Sequence, residues 1–78
     1  MSNIRSILGT RVSEARHRAG MTQEALAEKT GYSVDFISLI ERGVNAPTLD
    51  RLNDLANALG MEAWQLLRPH QIFSRSRK

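Results

Sequence analysis

The stretch from Thr22 to Gly43, TQEALAEKTGYSVDFISLIERG, restricts the chain more than any other. Thr22 is placed to cap a helix, and Met21 before it can pack on Leu26 as a hydrophobic staple. That helix runs from Gln23 to about Thr30, where Gly31 supplies a left-handed residue to end it. Ser33 then caps a second helix that is expected to end at Arg42, with Gly43 just beyond. A connection this short cannot return the helices antiparallel, so they must cross steeply, as a helix-turn-helix. A steep crossing needs a small side chain where the axes approach, which Ala27 provides. It also needs branched bulk in the angle between the pair, which Ile37 and Ile40 provide.

The flanking segments are helical as well. Ile4, Ile7, Leu8, Val12, Ala15 and Ala19 recur at helical spacing and predict a first helix from about Asn3 to Ala19, with Gly20 as its stop. Gly9 lowers the intrinsic stability of that helix by up to about 1 kcal/mol relative to alanine, which points to another helix passing close by. After Gly43, Pro47 stiffens a loop and Thr48 caps a fourth helix. The inner stripe of that helix is expected to be Leu49, Leu52, Leu55, Ala56 and Leu59, and Gly60 stops it. A short fifth helix, about Glu62 to Leu67, carries Trp64 and Leu67 on one side, with Trp64 shared between core and interface. Residues 1–67 thus read as one all-α, five-helix domain, and residues 68–78 as a basic tail.

The residues Thr22-Gln23, Leu26-Ala27, Gly31, Ile37-Ser38 and Ile40-Glu41-Arg42-Gly43 resemble the phage-repressor or Cro type of helix-turn-helix, the family of xenobiotic-response-element-like regulators. Pro47-Thr48-Leu49 and the run from Leu55-Ala56 to Leu59-Gly60 extend the match, which covers roughly residues 4 to 67. The resemblance implies a compact, lambda-repressor-like DNA-binding domain whose third helix lies in the major groove. By position, the residues implied to read bases are Ser33, Val34, Asp35, Ser38 and Leu39. Gln23 at a helix start, Arg42 and Asn45 are implied to hold the phosphate backbone. The family also carries an internal ion pair at the places of Arg16 and Glu41.

This chain departs from its relatives at the readers. Many carry arginine, lysine, glutamine or asparagine where Val34, Asp35 and Leu39 stand, because those side chains bond guanine or adenine in a bidentate manner. Val34 and Leu39 can instead cover thymine methyl groups, and Asp35 can accept from a cytosine amino group. The same trio would suit a protein-binding surface, so an antitoxin or protein-interaction module with a protein partner stays open beside the DNA reading.

Charge locates the basic character. Through Leu67 there are seven Lys/Arg against eight Asp/Glu, and from Arg68 onward four cations with no acid, so the net +3 belongs to the tail. The tail has one apolar pair, Ile72 and Phe73, which either docks on the domain or a second subunit or lies free in solvent. Trp64, Leu67, Ile72 and Phe73 are the residues expected at a homodimer interface. With no cysteine there is neither a disulfide framework nor a thiolate metal site, as befits a reducing cytoplasm. No apolar run reaches the ~18 residues of a membrane span, and the start lacks the apolar region of a signal peptide. Isolated His17 and His70 and the lack of a glycine-rich phosphate loop argue against an enzyme, a cofactor or a metal site. The chain is therefore expected to be a small repressor, or a controller of a restriction-modification system, that binds double-stranded DNA as a homodimer on a two-fold symmetric operator.

Overall fold

A computed structural model describes residues 3–69. They form five helices and no strand: α1 Ile4–Arg18, α2 Gln23–Thr30, α3 Val34–Glu41, α4 Leu49–Ala58 and α5 Ala63–Leu66. The starts follow from capping chemistry. The side chains of Asn3, Thr22, Ser33 and Thr48 accept from backbone N–H groups in the first turns of α1 to α4, and Glu62 and Gln65 form a reciprocal capping box on α5. The tight turn between α2 and α3 depends on Gly31, whose φ of 80° is a left-handed conformation that a side chain would strain. The α2 helix ends there, with the Gly31 and Tyr32 N–H groups both bonded to the Ala27 carbonyl.

One apolar cluster holds the five helices together. It is built from Leu8 and Val12 of α1, Leu26 and Ala27 of α2, Ile37 and Ile40 of α3, Leu52, Leu55 and Ala56 of α4, and Leu66 of α5. Helix α1 packs on α3, α2 on α3 and α4, and α5 on α1 and α4. The close approach anticipated at Gly9 is real: a Cβ there would lie 2.7 Å from the Glu41 carbonyl oxygen and also collide with that of Ile40. Only a hydrogen at this position lets the end of α3 rest on α1.

Several expectations need correction. Leu49, the first residue of α4, is 81 % exposed and lies outside the core. Ile4, at the matching end of α1, is likewise more than half exposed, and Ala19 is exposed at the C-cap of that helix. The core residue of α5 is Leu66, fully buried, while Leu67 packs only partly against the cluster and Trp64 is 58 % exposed. Arg42, expected to end α3, is its C-cap, one residue past the last helical residue Glu41.

Candidate nucleic-acid interface

Helix α3 is fixed at both ends, and the two fixtures explain what its middle is free to do. At its end, Glu41 receives a fork from α1: Arg16 Nε donates to Oε2 at 2.7 Å and Nη2 to Oε1 at 3.1 Å. Both side chains are more than nine-tenths buried, so this is an internal ion pair of the bidentate kind. Arg16 Nη1 donates to the Met21 carbonyl at 2.9 Å, which satisfies the guanidinium further. Its hydrogen bond to Glu41 outweighs the cost of burial and raises the Arg16 pKa above its already high ordinary value. Gln23, the first residue of α2, joins the same carboxylate, its Nε2 donating to Glu41 Oε1 at 3.0 Å. Three helices therefore meet at one carboxylate.

At its beginning, α3 is held by a cluster that the sequence reading missed. Tyr32, just before the N-cap, donates its hydroxyl to Asp54 of α4. Its ring meets that of Phe36 edge-on, with centroids 5.3 Å apart and an interplanar angle of 69°. The Arg51 guanidinium lies over both rings, 5.4 Å from Tyr32 and 5.2 Å from Phe36. The bond to Asp54, helped by partial desolvation and by the Asp54 charge, raises the Tyr32 pKa above that of a free phenol, though Arg51 opposes the shift. Tyr32 and Phe36 four residues apart, with Arg51 and Asp54 one turn apart on α4, were the available signal. Nothing in the sequence placed α4 opposite the turn.

Between these fixtures lie the expected readers. Asp35 is exposed and Ser38 and Leu39 are half-buried, in keeping with an outer arc on α3. Asp35, Ser38 and Arg42 spend none of their side-chain hydrogen-bonding capacity within the described residues. Ser33 is exposed but occupied, its Oγ accepting from the Phe36 N–H at 3.0 Å. Val34 is half-buried and packs against the core cluster, so only part of it is available outward.

The residues expected to anchor the phosphate backbone are Gln23, Arg42 and Asn45. Gln23 touches Glu41, the residue before the exposed Arg42. At the start of α2 the first N–H groups lack intrahelical acceptors and favour an anion. One amide hydrogen of Gln23 is committed to Glu41, leaving a second. Asn45 is exposed in the loop after α3, and its backbone N–H donates to the Leu39 carbonyl at 3.3 Å. Of the residues expected at a subunit interface, Trp64 is exposed with Arg68 over its ring at 5.5 Å, and Leu67 is half-buried. Ile72 and Phe73 lie outside the described residues.

A short turn between two capped helices, with an unoccupied outer arc on the second, defines a helix-turn-helix protein. The match to known proteins agrees. Residues 7–68 match the model of a helix-turn-helix domain family, and the chain belongs to that family of DNA-binding transcriptional regulators. It is 36 % identical over 67 residues to the control protein C.BamHI of Bacillus amyloliquefaciens, a match covering 85 % of this chain and 83 % of that one. Its fold is similar to that of a hypothetical transcription factor, NHTF, from Neisseria, with a TM-score of 0.86 and 32 % identity over 94 % of this chain and 84 % of that chain. It is also similar to the restriction-modification controller protein C.AhdI from Aeromonas hydrophila, with a TM-score of 0.76 and 32 % identity over 80 % of this chain and 94 % of that chain. Among the described residues no helix is long and apolar enough to cross a membrane.

Proposed function

We propose that the chain is a homodimeric, sequence-specific regulator that lays α3 in the major groove of a (pseudo)palindromic operator, as a small repressor or a restriction-modification controller. The observation that carries this reading is the outer arc of α3, where Asp35, Ser38 and Arg42 keep their polar groups unspent on a helix fixed at both ends. Asp35 would accept from a cytosine amino group, Leu39 and the outward part of Val34 would cover thymine methyls, and Ser33 and Ser38 would add hydroxyl contacts. Gln23, the α2 N-terminus, Arg42 and Asn45 would hold phosphates. The similarity to C.BamHI and C.AhdI supports the controller reading, and Trp64 supplies an exposed apolar contact for a second copy.

A second reading has its own support. Val34, Asp35 and Leu39 lack the arginine and amide side chains that most often read bases, and the apolar pair flanking a carboxylate suits a protein partner, as in an antitoxin. A gel-shift titration against the promoter of the protein's own gene, at two salt concentrations, separates the two. On the DNA reading Arg42→Ala weakens binding to all duplexes and lowers the salt slope by about 0.9, the share of one phosphate. Asp35→Ala instead relaxes preference at a single base pair. Unchanged binding in both variants would transfer the outer arc to a protein partner.

A further inference from the structure

Arg51 is not among the residues that the family pattern assigns to DNA, yet its surroundings single it out. Its i, i+3 spacing from Asp54 on α4 allows an ion pair, but none forms. The Asp54 carboxylate instead accepts from the Tyr32 hydroxyl, and the Arg51 guanidinium lies over the Tyr32 and Phe36 rings. Within the described residues the side-chain N–H groups of Arg51 have no acceptor, and the residue is exposed. A guanidinium held over rings is pre-organised while the donors in its plane stay open, and their fork matches the oxygens of a phosphate.

Position names the partner. Phe36 borders the outer arc of α3, since at ~100° per residue it stands about 60° from Leu39. A major groove is about 12 Å wide and a helix with its side chains about 10–12 Å across, so a group beside the arc meets the groove wall, which is phosphate backbone. We propose that Arg51 holds a phosphate of the bound duplex beside the first turn of α3, and that Tyr32 keeps it available by occupying Asp54. The inference rests on the DNA reading of α3. Charge gives the contact a use. Of the expected anchors Gln23, Arg42 and Asn45, Arg42 alone carries a charge, and it stands at the C-cap. Arg51 adds a cation beside the opposite end of the same helix.

Binding of the full chain to its own promoter duplex and to an unrelated duplex, titrated over a range of salt, tests both parts. Arg51→Gln should lower the salt slope by about 0.9 for each protomer bound, on both duplexes alike, and Arg51→Lys should restore it. Tyr32→Phe keeps a ring under Arg51 but frees Asp54 to pair with it, so the slope should fall there also. Adding Asp54→Asn to Tyr32→Phe should bring it back. Ethylation interference locates the contact: one phosphate beside each half-site of the promoter should tolerate no ethyl group in the wild type and should tolerate it in Arg51→Gln. An Arg51→Gln slope equal to that of the wild type overturns the contact, and a simultaneous drop in melting temperature would make Arg51 a brace for α3 alone. A Tyr32→Phe slope that does not fall, or that Asp54→Asn fails to restore, overturns the part given to Tyr32. Failure of the wild type to bind either duplex overturns the DNA reading and the contact with it, whereas tight binding with an unmoved slope in Arg51→Gln overturns the contact alone.

Discussion

Arg16 and Glu41 illustrate how a charged pair can be read from sequence while its surroundings cannot. Position within the motif was enough to pair them, but only the fold shows that Gln23 and the Met21 carbonyl complete the set. Arg16→Ala should cost about 3 kcal/mol or more in urea denaturation, because it strands the Glu41 charge in a poorly solvated place. Replacing both partners with apolar residues of similar volume should cost less than either single change. Tyr32 offers a second check, since it is the chain's one tyrosine and its ionisation can be followed by ultraviolet absorbance without overlap. Its pKa is raised by the bond to Asp54, so the neutral phenol is the form the fold favours. Its contribution is therefore complete below the ordinary phenol range and disappears as pH rises through the folded-state value. Asp54→Ala should move the titration back toward that of a free phenol, and an unmoved curve would show that the bond has no energetic weight in solution.

Helix α3 shows what an element gains from being fixed at both ends. A carboxylate shared with α1 and α2 sets its last turn, and the rings under Arg51 set its first. Gly9 sets how near it lies to α1. Gly9→Ala would raise the intrinsic helix propensity of α1 by up to about 1 kcal/mol, yet it should lower the melting temperature, because a methyl group must push back two carbonyls of α3 at a cost of about 1–3 kcal/mol. Stabilisation by that substitution would mean the two helices are not in register at this point. The elements themselves were plain in the sequence wherever a cap residue or a glycine marks a boundary, as Thr22, Gly31, Ser33 and Thr48 do. Phase was less plain near helix ends. Leu49 and Ile4 fit the stripe of their helices, but each is the first residue of its helix, and a stripe carries no information about whether a neighbour covers that turn. Helix α5, with four residues, is too short to display a period at all, and so Leu66 was overlooked in favour of Trp64. The candidate site divides in the same way. The reader positions on its outer arc were what the family resemblance implied, whereas the Tyr32, Phe36, Arg51 and Asp54 cluster depends on where α4 lies in space.

The whole molecule presents two copies of α3 to DNA only if it pairs. Half-sites should then lie about one helical turn apart, roughly 34 Å, and inserting five base pairs between them should abolish tight binding by turning one half-site to the opposite face. Trp64 is the chain's one tryptophan and is 58 % exposed. Its fluorescence should shift to the blue as protein concentration rises through the dimerisation range, and Trp64→Ala should move that range to higher concentration in sedimentation experiments. A tryptophan signal independent of concentration would place the subunit contact elsewhere.

The division of labour around Glu41 reaches beyond this one chain. Arg16, Gln23 and Glu41 brace the third helix from behind, while Asp35 and Ser38 owe nothing to the scaffold. Exchanging those two for amides or arginine should therefore cost little in folding and, on the DNA reading proposed above, redirect the protein to new DNA words, which would make this domain a frame for building regulators of chosen address.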